Sequence, residues 1–182
     1  RKIDLSTGTR YGVVYGTCYD VAIGDNAIWV SDTQSNQLLK IDPETRKIVE
    51  TVKLEGKPSE VAFGHGTVWV ILTDKNEVVG VDANTSQVVT TLSSNAFIHG
   101  LAIDLTRVWY THPTALFYSE PATSGSGGFS ITNPAARIAF YAGSLWVTSP
   151  NEGLVTRIYP EDQSVIAVID LGTDPFAIAA GE

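Results

Sequence analysis

The chain has 182 residues, of which 43% are hydrophobic and 18% are charged, so it is long enough to fold as one domain and too apolar to be disordered. Its formal net charge of −8 disfavours nucleic acid and anionic membranes as partners, because both bind basic surfaces. No apolar run approaches the ~18 residues that a membrane-spanning helix needs, so we expect no membrane insertion.

A short phrase that ends in tryptophan recurs along the chain. Its first copy reads Val21-Ala-Ile-Gly-Asp-Asn-Ala-Ile-Trp29, and later copies end at Trp69, Trp109 and Trp146. The copies are about 40 residues apart, and each unit contains several β-rich runs, which is typical of the four-stranded blades of a β-propeller. The sequence therefore predicts an all-β fold built from such blades.

The predicted blades follow one another along the chain, and we label their strands A to D from the axis outwards. Residues 1–17 match only the outer half of a blade, because they contain two β-rich runs joined by a turn. Complete blades are predicted at residues 18–57, 58–97, 98–134 and 135–173, and residues 174–182 begin another. We expect the four tryptophans, all in strand B, to fill the gaps between neighbouring sheets.

The third unit departs from this pattern. After Trp109 the usual Ile-Asp turn is missing, and the run Ser124-Gly-Ser-Gly-Gly128 is typical of a flexible segment. Two interpretations stay open at this point. Either the unit is a degenerate blade, or its connection at residues 111–130 is remodelled to bind a ligand.

Four complete and two partial blades do not close into a stable ring, because unpaired sheet edges would remain and promote aggregation. We therefore expect a larger ring of six or seven blades. The further blades would come from missing residues, or from another chain that adds strands to the edges.

The repeat also carries a family resemblance. The pattern Val-Ala-x-Gly-x-x-x-x-Trp-Val, followed by Ile-Asp-Pro-x-Thr-x-x-Ile-Val-x-Thr-Val, resembles the YVTN-type propellers of bacteria and archaea and is similar to the virginiamycin B lyase group. The match is close over residues 21–92, good over 138–182, and limited to strands A and B over 93–137. Many members are extracytoplasmic binding or sensor modules, so the resemblance implies a secreted or periplasmic protein.

Candidate binding residues lie on the face that the D–A and B–C connections form around the predicted channel mouth. They are Tyr19, Asp20, Glu60, His99, His112, Arg137 and Phe176. Carboxylates and histidines suit a metal ion, for which Asp20, Glu60 and His99 are the candidates, and an arginine suits an anionic ligand. The alternative is a solvated ring of caps and ion pairs.

These observations favour a non-catalytic module that binds a ligand or another protein through this face, with no cofactor. The alternative is a metal-assisted lyase or hydrolase. In the virginiamycin B lyase group the resemblance implies proton abstraction by a histidine, aided by a divalent metal, and that role would fall on His99 or His112. However, the Trp-Phe-Thr-Glu and Glu-x-His motifs of that group are missing here, so the sequence leans away from an enzyme.

Overall fold

The computed structural model describes residues 2–3, 10–11 and 17–179. The first two pieces are paired antiparallel strands, β1 (Lys2–Ile3) and β2 (Arg10–Tyr11). The rest of the predicted half-blade at residues 1–16 lies outside the described residues. At the other end, residues 174–179 form no strand, and residues 180–182 of the predicted next strand A are not among those described.

Residues 17–179 form four antiparallel sheets of four strands each, which confirms the predicted all-β fold of four-stranded blades. Blade I comprises β3 (Cys18–Gly24), β4 (Ala27–Asp32), β5 (Gln37–Ile41) and β6 (Ile48–Lys53). Blade II comprises β7 (Pro58–Gly64), β8 (Thr67–Leu72), β9 (Glu77–Asp82) and β10 (Val88–Ser93). Blade III comprises β11 (Leu101–Ile103), β12 (Val108–His112), β13 (Ala115–Glu120) and β14 (Gly125–Ser130). Blade IV comprises β15 (Ile138–Tyr141), β16 (Ser144–Ser149), β17 (Leu154–Ile158) and β18 (Val165–Asp170).

The strands of each blade pair in chain order and correspond to A, B, C and D. Blades I and II belong to one compact unit, residues 1–93, and blades III and IV belong to a second, residues 94–182. A single short 3-10 turn, Pro150–Glu152, interrupts the β-structure of the described residues. None of their helical segments is long and apolar enough to cross a membrane.

The turns explain why the strands end where they do. Strands A and B of blade I are joined by Asp25 and Asn26, both with positive φ, which is the conformation of a tight hairpin turn. The C–D turn of the same blade is held by Asp42, whose carboxylate accepts hydrogen bonds from the backbone N–H of Glu44 and from Thr45. The hydrogen bond from the Thr45 hydroxyl, followed by the one from the backbone N–H of Glu44, lowers the pKa of Asp42.

Within each unit the tryptophan of strand B packs towards the following sheet. Trp29 belongs to the core between blades I and II, and Trp109 to the core between blades III and IV. Trp29, Trp69 and Trp109 are fully buried, as expected. Trp146 is only partly buried, because blade IV is the last sheet of the described residues and no further sheet there covers its indole.

Buried hydroxyl groups in strand B link each blade to the next one in its unit. In the first unit the Ser31 hydroxyl donates to the Ser59 carbonyl oxygen at 2.7 Å. In the second unit the Thr111 hydroxyl donates to the Ala136 carbonyl oxygen at 3.2 Å. Both donors have no exposed surface, so these bonds form in a dry environment where an unpaired polar group is costly.

Blade III is complete, and residues 115–130 contain two paired strands, so the expected flexible segment is not found and a specialised role for residues 111–130 loses support. Strand β13 pairs with β14 over its whole length, and only Pro113 and Thr114 separate β12 from β13. Two of the three glycines of β14 lie directly opposite aromatic residues, with Gly127 beside Tyr118 and Gly128 beside Phe117. Rings that lie over cross-strand glycines are a known way to stabilise such positions, so the glycine-rich run forms an ordered strand.

Candidate functional site

In the first unit the predicted carboxylate Asp20 has a structural partner. Its Oδ2 accepts a hydrogen bond from the backbone N–H of Val61 at 2.9 Å, so it joins strand A of blade I to strand A of blade II. Its own backbone N–H donates to the Ser31 hydroxyl. Tyr19 beside it is 54% exposed, and Glu60 lies half-buried in β7 with an interaction of its own. Asp20 thus works as a link between blades.

The second unit brings several predicted residues together around the D–A connection between blades II and III, which we call the 94–100 loop. The Ser94 hydroxyl oxygen lies 2.7 Å from Nε2 of His112, a residue that is only 8% exposed. The same hydroxyl accepts a hydrogen bond from the N–H of Ala96 and donates to the carbonyl oxygen of Ala96. Ser94 therefore closes a local turn and fixes it to the end of β12.

The rest of the 94–100 loop is anchored equally firmly. The backbone N–H of His99 donates to the Thr111 carbonyl oxygen at 3.1 Å, and Nη1 of Arg137 donates to the His99 carbonyl oxygen. Ile98 is buried, 5% exposed. Two side chains lie at the surface between these anchors. They are the imidazole of His99, which is exposed but partly covered by the protein, and the ring of Phe97, which is 65% exposed.

Phe97 and Ser94 complete this cluster and are missing from the residues predicted as a site. A phenylalanine two positions before a candidate histidine, in a connection, is the sequence signal that could have identified Phe97. The role of Ser94 depends on its approach to His112 across 18 positions of the chain. The remaining predicted residue, Phe176, is 78% exposed and lies outside any strand.

Both histidines of the cluster favour the neutral form. Burial, and then the positive charge of Arg137, lower the pKa of His99. Burial, and then the neighbouring His99, lower the pKa of His112. A neutral imidazole can accept a proton, a hydrogen bond or a metal ion, but Nε2 of His112 already faces Ser94. Within the described residues of either unit, no three His, Cys, Asp or Glu side chains are grouped to hold a metal ion.

The lowered pKa values predict a specific pH dependence. An unfolded histidine titrates near 6.5, so below that pH the unfolded chain binds more protons than the folded one. The free energy of unfolding should therefore be constant above about pH 6.5. It should decrease as the pH falls from there through the folded pKa values of His99 and His112. NMR titration of the imidazole protons should give both values below 6.5.

A charge-removing variant tests the cause. Arg137→Gln should raise the pKa of His99, because it removes the positive charge that disfavours the imidazolium. Arg157→Gln is the matched control, since Arg157 lies over the Trp146 ring in blade IV and is not among the causes of the His99 shift. An unchanged pKa of His99 in Arg137→Gln would contradict this account.

The comparisons with known proteins identify the fold. No protein-family model matches the sequence, and no curated protein matches it either. Among solved structures, hydrazine synthase of Kuenenia stuttgartiensis is similar with a TM-score of 0.77 and 12% identity, covering 89% of this chain and 51% of its own. The Pan2 WD40 domain of Neurospora crassa has a TM-score of 0.67 and 14% identity, and the match covers 79% of this chain and 49% of that domain's chain. A structure of BBS1N in complex with ARL6DN has a TM-score of 0.73 and 15% identity, and the match covers 90% of this chain and 57% of that one.

At these identities the likeness concerns the fold alone, and it supports the assignment of the blades to a β-propeller. The chain spans about half the length of these solved structures.

Proposed function

We propose that this chain is a non-catalytic binding or assembly module of a larger β-propeller, and that it meets its partner through the face of D–A and B–C connections. The observation that carries this proposal is the 94–100 loop, in which buried and hydrogen-bonded anchors surround an exposed phenylalanine. A fixed loop loses little conformational entropy on binding, so the apolar contact of Phe97 adds to affinity with small losses. Aromatic side chains presented in this way often dominate the binding energy of protein interfaces.

The kind of partner follows from charge and from the similar structures. A net charge of −8 disfavours nucleic acid. BBS1N, one of the similar propeller structures, was solved in complex with another protein, ARL6DN. We therefore favour a protein as the partner over a small molecule, and further propeller blades from missing residues or another chain remain part of the proposal.

The finer assignments rest on sequence resemblance. The repeat pattern supports membership of the YVTN-type or virginiamycin B lyase-like propellers, and that resemblance in turn supports a secreted or periplasmic location. The metal-assisted lyase or hydrolase stays the alternative prediction. Calorimetric titration with Mg²⁺ and Mn²⁺ separates the two, because the alternative requires binding that is lost in His99→Ala.

Phe97→Ala tests the binding proposal directly. The full-length protein is purified with its partner under native conditions, and the affinity is measured after reconstitution of the complex. Loss of an exposed anchor of this kind costs about 2 kcal/mol or more, which is a weakening of at least about 30-fold.

Tyr159→Ala is the matched control. Tyr159 is an aromatic residue that is 42% exposed and follows β17 at the C–D turn of blade IV, at the opposite end of the strands. Its removal should leave the affinity unchanged. A complex that survives Phe97→Ala and is weakened by Tyr159→Ala would place the partner on the other face and contradict the proposal.

A further inference from the structure

A cavity of about 270 Å³ lies in the second unit between strand β14 of blade III and the sheet of blade IV. Its apolar wall includes Phe129, Val147, Ile158 and Val168, and its polar wall includes Ser149 and Thr156. Val147 and Ile158 are each 1% exposed and belong to the core between the two blades. The cavity is therefore an extension of that core that opens towards solvent.

The two hydroxyl residues occupy positions that are apolar and buried in blade II. Ser149 comes three residues after Trp146, as Leu72 comes three residues after Trp69. Thr156 pairs with Val147, as Val79 pairs with Val70.

Leu72 and Val79 are 1% and 4% exposed and form part of the core of the first unit. Blade IV thus has two residues with hydroxyl groups where blade II has two core side chains, at the place where the cavity lies. The position of Ser149 is polar in blades I and III as well, where it is occupied by Asp32 and His112.

The difference from blade II leaves space in the core. Smaller side chains open space that the surrounding structure fills only in part. Ser149 is 1% exposed, and its hydroxyl group adds a polar edge to the lining of that space. A ligand that fills the space would stabilise the folded chain, and the hydroxyl groups offer it hydrogen bonds.

We propose that this cavity is a binding site for a small uncharged molecule with an apolar ring and a hydrogen-bonding edge. Among the described residues that line it, none carries an ionisable side chain, so a charged ligand would lack a counter-charge. An apolar cavity of about 150 Å³ accepts benzene, and 270 Å³ accommodates a bicyclic ring the size of indole. The site is separate from the 94–100 loop and does not depend on its role.

Indole is the probe, titrated into the full chain labelled with ¹⁵N and followed by amide chemical shifts. We expect saturable shifts with a dissociation constant of about 1 mM or tighter, centred on Ile131, Ser149 and Thr156. The double variant Ser149→Leu/Thr156→Val, which restores the residues of blade II, should weaken indole binding at least about tenfold and raise the thermal midpoint.

Two further variants keep the outcome decisive. Val168→Phe fills the cavity from β18 and should also abolish binding, so the test remains valid if the double variant misfolds. Thr51→Val makes the same kind of exchange at an exposed position of β6 in the first unit and should change nothing. Shifts that do not saturate, that centre on other surfaces, or that persist in both folded cavity-filling variants would overturn the proposal.

Discussion

Replacing Trp109 with alanine is expected to lower the free energy of unfolding of the second unit by about 3–5 kcal/mol, the usual cost of truncating a buried tryptophan. Trp109 has no exposed surface and lies in the core between blades III and IV. Its indole packs against Tyr118 at a ring distance of 4.9 Å. Its Nε1–H donates to Oδ2 of Asp104 at 2.7 Å, so the variant loses a hydrogen bond as well as apolar contact.

Chemical denaturation followed by far-UV circular dichroism measures this loss. Trp146→Ala is the matched control, because Trp146 holds the same position in blade IV but is only partly buried. Its indole N–H bonds to a backbone oxygen at 3.3 Å, a longer contact. The control should cost clearly less than Trp109→Ala, and equal losses would show that burial between sheets is not the source of the stability.

Gly127→Ala carries the second large expected effect, a loss of about 1–3 kcal/mol through overpacking. A methyl group at position 127 would lie 2.7 Å from the Tyr118 hydroxyl and 2.8 Å from its Cζ. The ring would have to move away from Trp109, which it contacts, and from the Arg107 guanidinium, which lies 4.9 Å from its centre. Blade III would therefore lose packing at its own core.

A double-mutant cycle identifies the cause of that loss. In a Tyr118→Ala background the ring is absent, so Gly127→Ala should cost much less than it does in the parent chain. Ser126→Ala, an exposed neighbour on the same strand, should stay within about 0.5 kcal/mol of the parent. If Gly127→Ala costs the same with and without the ring, strain in the backbone of β14 is responsible instead.

The blades could be predicted from sequence because the signals that define them are local and repeated. The tryptophan phrase recurs at a period that matches a four-stranded unit, and turns such as Asp25-Asn26 carry their own conformational preference. Strand β14 could not be predicted in the same way. Its glycines are typical of flexible segments, and their stability comes from Tyr118 and Phe117 on the opposite strand. That pairing depends on a register which composition does not contain.

The candidate site shows the same division. A position just before strand A can be recognised from sequence as part of a connection, and this is sufficient to identify His99 and Asp20 as candidates. What each side chain does depends on partners distant in sequence. Asp20 bonds to the N–H of Val61, 41 positions away, and His112 meets Ser94 across a loop. The hydroxyl residues of the cavity needed both the repeat alignment and the strand pairing.

The strand-B hydroxyl bonds have a consequence for how such a protein can change over time. Ser31 and Thr111 each donate to a main-chain oxygen of the adjoining blade, an atom that every amino acid supplies. Substitutions at Ser59 or Ala136 therefore leave the acceptor in place. Neighbouring blades within one compact unit can therefore differ widely in composition, as the glycine-rich blade III does, and still keep the hydrogen bond that joins them.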